Sequence, residues 1–399
     1  MLSLSDARSL IAQCVHVLAP ERVPLADARG RVLREALVAG EDMPAFDRSA
    51  MDGYAVNRDD PSAAFRIVAE IPAGSMSERK IGAGECARVF TGAAIPPGAN
   101  RVVVQECAHR LGDTVTFSAR SGGSNIRVRG EDAREGSVLI ERGTILGPIE
   151  LSLCAQLGVV NPLVSPPPRA FHVVSGSELI SPEAAAQPGQ IRDSNSILTS
   201  ALVAEAGAEL VAQQRTGDDL DALLALLRGI PATAWDILLL SGGAGPGDHD
   251  LGAKALSDLG FSIQFQQLNL RPGKPLIFAT RGRQIAFVIP GNPLAHFVCW
   301  HVVIDSALQM LTRGCMEFAL VNATLGGGQP LSGNARETWW PARLSWESDA
   351  PLILPLKWQS SGDLTGLAGV DALICVPSNS PAIAPGEMIA ARLLNRISG

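Results

Sequence analysis

Lysine is almost missing from this 399-residue chain: Lys80, Lys254, Lys274 and Lys357 are all it has. With a formal net charge of −7 and no basic block, the chain cannot neutralise a run of phosphates, which argues against a nucleic-acid partner. Cysteine is equally thin: seven, scattered, with no pair at C-x-x-C spacing. An odd, dispersed set excludes a disulfide framework and a zinc module, and reads as a reduced compartment. A secretion signal is lacking too. MLSLSDARSLIAQCVHVLAP has no basic start before an apolar block, and Asp6, Arg8 and His16 interrupt its apolar pattern. The most apolar long run, residues 294–311, contains His296, His301 and Asp305, so it reads as a buried helix and not as a membrane span. The expectation is a cytoplasmic, soluble protein with no membrane and no nucleic acid.

What is present is 46% hydrophobic and 18% charged, with 40 glycines and 27 prolines spread along the chain. That texture gives many turns and short strands, and the length exceeds one ordinary core. Positions 4, 7, 10, 11, 14, 15 and 18 form an apolar stripe at helical spacing, and Ser3 with Asp6 can cap it. From about 40 to 130 come short β-like runs (FRIVAEI, ARVFTG, NRVVVQE, TVTFSA), expected to form an antiparallel domain. Residues 130–160 read as a return to helix, and VSPPPR (164–169) as a stiff linker. Beyond it, RAFHVVS, AELVAQ, DILLLS and QIAFVIP alternate with helical patterns, which implies a parallel sheet covered on both faces. From about 317 short strands return, as a small barrel or sandwich. Four regions follow: helical support at 1–40 and 130–165, an inserted β domain at 41–129, a doubly wound α/β domain at 166–316, and a C-terminal β-barrel at 317–399.

Ligands of open α/β sheets sit beyond the carboxyl ends of the strands. Here those ends are polar. Ser175, Gly176, Ser177 and Glu178 follow HVVS; SGGAGPGDHD (241–250) follows DILLL; PGNP (290–293) opens a helix. Glycine turns into helices leave N–H groups for an anion such as phosphate, or merely permit a tight turn. No dinucleotide or Walker fingerprint is present. Glu178, Asp248 and Asp250 offer hard oxygen ligands suited to Mg²⁺, the preferred reading, with helix capping by Asp248 or Asp250 as the alternative. RPGKP (271–275) sets Arg271 and Lys274 on either side of a Pro-Gly turn, which aims charge at an anion or forms a surface turn. His296, Cys299 and His301 share an apolar helix and read as core residues, not metal ligands. The stretch PAFDRSAMDGYAV (44–56) strings Asp47, Arg48, Asp52, Gly53 and the sole tyrosine, Tyr54, through a half-apolar segment.

FDRSAMDGYAV, TGAAIPPGANRVVVQE, NIRVRGED, GTILGPIEL, SGSELI, IRDSNS, SGGAGPGDHD, RPGKP, PGNP, SSGDLTGLAG and PGEMIAARLL, in that order, resemble the molybdopterin molybdenumtransferase family (MoeA-type enzymes and the gephyrin E domain). The resemblance covers nearly the whole chain. It implies a homodimer whose active site lies between the α/β domain of one subunit and the β domain of the other. The implied reaction inserts molybdate into the dithiolene of adenylylated molybdopterin, with Mg²⁺, and releases AMP. By motif, Asp52, Thr91 and Asp132 would serve from the β domain, and Glu178, Asp218, Asp248 and Asp250 from the α/β domain. Ser175, Gly176, Gly242, Gly243, Pro290 and Pro293 would hold the pterin nucleotide, and Arg271 and Lys274 its anionic groups. A molybdopterin adenylyltransferase and apo-molybdoenzymes are the implied protein partners.

The chain departs from the family pattern at Ser175 and Ser177, where threonine and aspartate are usual, at Gly245 and Pro246, and at Ala94 and Arg271. Two competing expectations follow: a paralogue that carries cofactor to a molybdoenzyme without making it, and an enzyme that adenylylates molybdopterin itself.

Overall fold

The Ser3 hydroxyl accepts a hydrogen bond from the Asp6 N–H at 3.1 Å, so Leu4–Cys14 (α1) starts from a capped end as the sequence predicts. Its helical spacing then buries Leu4, Ala7 and Ile11 together. The computed structural model describes residues 1–120, 122–243, 251–345 and 351–394. Two compact units result: Met1–Arg22 with Gly30–Arg34 and Leu163–Gly399, and Val23–Arg29 with Glu35–Pro162.

The smaller unit is built on six strands: Gly53–Val56 (β1), Ala64–Ile71 (β2), Glu85–Val89 (β3), Arg101–Val104 (β4), Ala108–Leu111 (β5) and Thr114–Phe117 (β6). They lie in the order β4-β1-β3-β2-β6-β5. The four expected runs appear as β2, β3, β4 and β6. The sheet is not wholly antiparallel, however, because β2 and β3 run parallel. Local alternation marks a strand but leaves its direction open, since both directions bury alternate residues. The expected helix over 130–160 is confined to Pro148–Gln156 (α2). Turns at 135–136 and 142–143 break the earlier part, where Val138–Ile140 pairs with Leu37–Val38 instead.

In the larger unit, Arg169–Ser175 (β7), Glu209–Thr216 (β8) and Ile237–Ser241 (β9) join Ser262–Phe265 (β10), Ile277–Arg281 (β11) and Gln284–Ile289 (β12). The order is β8-β7-β9-β12-β11-β10. The first four are parallel, as expected; β11 and β10 add an antiparallel edge that the strand–helix rhythm did not announce. Both faces are covered. Ile237 and Leu239 of β9, with Ile285, Phe287 and Ile289 of β12, face α1, Asn195–Glu205 (α3) and the long helix starting at Pro293. Leu238, Leu240, Ala286 and Val288 face Leu220–Gly229 (α4) and Leu251–Asp258 (α5). Period-2 alternation with both sets apolar is what a doubly covered parallel sheet demands.

The helix at 293–313 runs as Pro293–Cys299 (α6), a π segment at Trp300–Ile304, and Asp305–Arg313 (α7). It alone among the described residues is long and apolar enough to cross a membrane, yet 89% of its apolar window is buried inside the protein. His296 and Cys299 are fully buried, in keeping with their reading as core residues. Val321–Leu325 (β13), Glu337–Ser345 (β14), Leu352–Pro355 (β15), Ala372–Val376 (β16) and Met388–Leu393 (β17) pair in the order β14-β15-β13-β17-β16. Pairing of β14 with β16 closes the ring, so this region is a barrel and not a sandwich. One continuous hydrophobic core takes in Ile11 of α1, Phe287 of the sheet, Val303 of the π segment, and Trp339 and Leu373 of the barrel.

Candidate active site

The direction of strand progression reverses between β7 and β9, which makes their carboxyl ends a topological switch point. A cavity of about 620 Å³ opens there. Ser175, Gly176, Glu178, Asp218, Gly242, Gly243, Pro290 and Pro293 all line it, so the expected residues of three separate turns meet in one place. Gly242 makes this possible. Its φ is 98°, and a Cβ there would lie 2.6 Å from the Ser175 carbonyl oxygen and 2.8 Å from Ser175 Oγ. Only glycine lets the two strand ends come this close.

Two turns are locked by side chains. The Ser177 N–H donates to Asp218 Oδ2 at 3.1 Å, and the Asp218 N–H donates back to Ser177 Oγ at 3.1 Å. Asp218 is thus partly occupied in holding the first turn. Glu178 makes no side-chain hydrogen bond within the described residues, so its carboxylate is available to the cavity. The helix opened by PGNP does not offer the expected free donors. The N–H groups of Leu294 and Ala295 both donate to the Ser361 carbonyl, at 3.1 and 3.3 Å, and Asn292 Nδ2 donates to Ser361 Oγ at 2.8 Å. The barrel loop carrying Ser361 therefore closes one side, and Gly362 and Leu364 line the cavity from it.

Several lining residues lacked a chemical reading in the sequence. Asp193 Oδ1 and Oδ2 accept from the Ser196 N–H and hydroxyl at 2.9 and 2.6 Å, capping the start of α3. Asn195 Nδ2 donates to the Gly291 carbonyl at 2.7 Å, while its buried Oδ1 has no donor, an acceptor that a ligand N–H would satisfy. The Asp-Ser-Asn run was a visible helix-start signal, but nothing local tied it to the glycine turns. Ser241 also lines the cavity.

Arg271 and Lys274 are not brought into the lining, although Pro275 of the same turn is. The Arg271 guanidinium lies 5.4 Å over the Trp358 ring. Asp248 and Asp250, with Gly245 and Pro246, lie outside the described residues. Among the described residues no group of three or more His, Cys, Asp or Glu side chains could hold a metal ion. The carboxylates that line the cavity are Glu178, Asp193 and Asp218; Mg²⁺, where it binds, is commonly held by one or two carboxylates plus substrate phosphates and not by a protein cage.

The smaller unit carries its own polar cluster. Asp52 Oδ1 accepts from the Thr91 N–H at 2.7 Å and from the Thr91 hydroxyl at 2.8 Å. The Thr91 backbone donor, then its hydroxyl, holds the Asp52 carboxyl below the usual carboxylate range. Asp132 is ion-paired with Arg127, and its N–H donates to the Met43 carbonyl at 2.8 Å. Asp47 accepts from the Arg129 N–H at 2.8 Å, and so braces a distant segment instead of a local turn. Tyr54 is buried against Phe117 at 5.9 Å.

Comparison with known proteins gives the chain its family. The family described as "MoeA N-terminal region (domain I and II)" matches residues 2–158. "Probable molybdopterin binding domain" matches 172–310, and "MoeA C-terminal region (domain IV)" matches 330–394. Molybdopterin molybdenumtransferase 2 of Mycobacterium tuberculosis is 33% identical over 323 residues, covering 78% of this chain and 80% of that protein. The chain belongs to the MoeA-type molybdopterin molybdenumtransferase family. A second family member, molybdopterin molybdenumtransferase of Bacillus subtilis, is 29% identical over 392 residues, 95% of this chain and 91% of its own length. Among MoeA crystal structures, that of the molybdopterin biosynthesis protein of Pyrococcus horikoshii superposes with a TM-score of 0.82. It is 28% identical and covers 99% of this chain and 100% of that one. The switch-point cavity of this MoeA-type chain falls within the segment matched by the molybdopterin-binding family, apart from its barrel loop.

Proposed function

We propose that this chain is a transferase of molybdenum cofactor biosynthesis that inserts molybdate into the dithiolene of adenylylated molybdopterin and releases AMP. The observation that carries the reading is the meeting of Ser175, Gly176, Glu178, Asp218, Gly242 and Gly243 around one cavity at the switch point. In this reading, the Gly243 N–H and the Ser175 hydroxyl hold the phosphoryl group, the Gly242 N–H being taken by the Ile289 carbonyl at 3.0 Å, and Pro290 and Pro293 shape the wall beside the pterin. Glu178 and Asp218, with Asp248 and Asp250, would hold Mg²⁺, which neutralises charge developing on the phosphoanhydride. Lys274 and Arg271, outside the cavity lining but on the turn that ends in Pro275, would reach the substrate's anionic oxygens, and Asp52, set by Thr91, and Asp132 would act at the oxyanion.

The protein is further proposed to be a cytoplasmic homodimer that receives its substrate from an adenylyltransferase and passes cofactor to apo-molybdoenzymes. Seven free thiols support a reducing compartment. Light scattering of the purified protein tests the dimer. The activity test supplies adenylylated molybdopterin, molybdate and Mg²⁺ and follows AMP and active cofactor. Asp52→Ala and Lys274→Ala should each slow AMP release about a hundredfold. Wild-type rates in both would show that the site is misassigned.

A further inference from the structure

Below the cavity runs a polar chain, buried at His172 and Ser241 and exposed at Gln213, that the proposed reaction leaves unused. Gln213 Nε2, on β8, lies 2.9 Å from the Ser196 carbonyl oxygen and 2.9 Å from His172 Nδ1, on β7. A carbonyl only accepts, so this end of the Gln213 amide is its NH₂ group, and the second N–H is directed at Nδ1. Nδ1 must therefore be unprotonated. His172 has no exposed surface, and burial pushes its pKa down to about 3. The neutral ring then carries its single proton on Nε2. Nε2 lies 2.7 Å from Ser241 Oγ and donates to it. Ser241 is the last residue of β9, is 1% exposed and lines the cavity. Among the described residues its hydroxyl has no partner but His172. Having accepted from the imidazole, the hydroxyl keeps one proton to give.

We infer that Ser241 is a phosphoryl-binding residue, its hydroxyl fixed as a donor toward the cavity by His172, whose tautomer Gln213 sets. The inference rests on the reading that the cavity takes the nucleotide end of its substrate. Ser241 immediately precedes the Gly242–Gly243 turn, where the Gly242 N–H is already given to the Ile289 carbonyl at 3.0 Å, so the Ser241 O–H supplies a donor that this backbone position does not. His172 and Gln213 are positioning residues, two steps from the ligand. A hydroxyl with its acceptor side occupied pays no reorientation cost on binding, which is what preorganisation supplies.

Calorimetric titration of the full chain with AMP and with adenosine, alongside histidine ¹⁵N NMR, tests this. Ser241→Ala should bind AMP about ten- to a hundredfold more weakly, the loss expected for one hydrogen bond to a charged group, and adenosine unchanged. His172→Leu should lose part of the same affinity; His172→Gln, whose amide nitrogen replaces Nε2, should restore it. The ring should show a protonated Nε2 and no titration near its ordinary pKa. A thermal melt of each variant confirms that it is folded. A protonated Nδ1, AMP binding by Ser241→Ala within about twofold of wild type, equal loss of adenosine, or no AMP binding by wild type overturns the inference. Ser241-dependent AMP binding in a protein that makes no cofactor would sink the insertion reading and leave this one standing. Cofactor synthesis indifferent to Ser241→Ala would do the reverse.

Discussion

Mild acid should destabilise the larger unit before its carboxylates titrate. His172, His296 and His301 are each pushed down to about 3, chiefly by burial. No carboxylate offsets the burial of these rings, although Glu205 and Asp305 share a small cavity with His301. His172 meets Gln213 and Ser241, and His296 meets Thr199 at 3.0 Å. His301 feels Arg392, while Asp305, which shares a small cavity with it, is already paired with that arginine. A folded pKa below the unfolded one means that the unfolded chain binds the extra proton. Stability is thus complete above the unfolded value of about 6.5 and falls as pH drops toward 3. At pH 5, about 1.5 units below that value, each histidine costs about 2 kcal/mol and the three together about 6 kcal/mol. Whole domains have only about 5–15 kcal/mol to lose. Urea unfolding at about pH 7.5, 6 and 5, followed by tryptophan emission, measures this slope. All six tryptophans fall between residues 235 and 358, so the signal reports the larger unit alone. His172→Gln should remove about a third of the loss. Stability at pH 5 within about 1 kcal/mol of that at pH 7.5 would refute the reasoning.

A Cβ added at Gly53 would sit 2.1 Å from the Val103 carbonyl oxygen. Gly53→Ala should therefore cost the smaller unit about 1–3 kcal/mol, seen as an earlier melt by circular dichroism; an unchanged melt would mean that β1 and β4 are farther apart. Thr91→Val removes the hydroxyl donor to Asp52 and should move that carboxyl's pKa upward toward its ordinary value, readable by ¹³C NMR titration, with no movement counting against the contact. Chelation should stop AMP release and added Mg²⁺ restore it; activity indifferent to chelator would remove Glu178 from its proposed metal role. Asn292→Ala removes the side-chain hydrogen bond to Ser361, leaving the two backbone bonds of Leu294 and Ala295, and should raise KM about threefold with kcat little changed; an unaltered KM would show that this side-chain contact does not shape the binding wall.

The features legible in the sequence were those that local chemistry dictates. The cap at Ser3, the alternation of Ile237 to Leu240 and the glycine turns after β7 and β9 each follow from neighbours within a few positions. What escaped was set at long range. Strand direction in β2 and β3, and the antiparallel edge of β10 and β11, depend on partners that alternation does not name. Asn195 and Ser241 look like a helix-start residue and a strand end; only the approach of Gly291 and of His172 reveals them as lining with polar consequences. The PGNP turn shows the opposite error. Its helix start promised free N–H groups, but Ser361, some 70 positions downstream, consumes them. For Asp52 the local pattern sufficed to draw notice, and Thr91 supplied the hydrogen bonds.

The continuous core joining α1, the α/β sheet and the barrel bears on how such chains can be cut and recombined. Three family segments match in sequence, but Ile11, Phe287, Val303, Trp339 and Leu373 bury one another in a single apolar interior. Exchanging the molybdopterin-binding segment alone between relatives would set foreign side chains against an unchanged helix and barrel. Grafts would succeed only when the N-terminal helix and the barrel travel with the sheet they cover, so the heritable unit here is larger than any one of its segments.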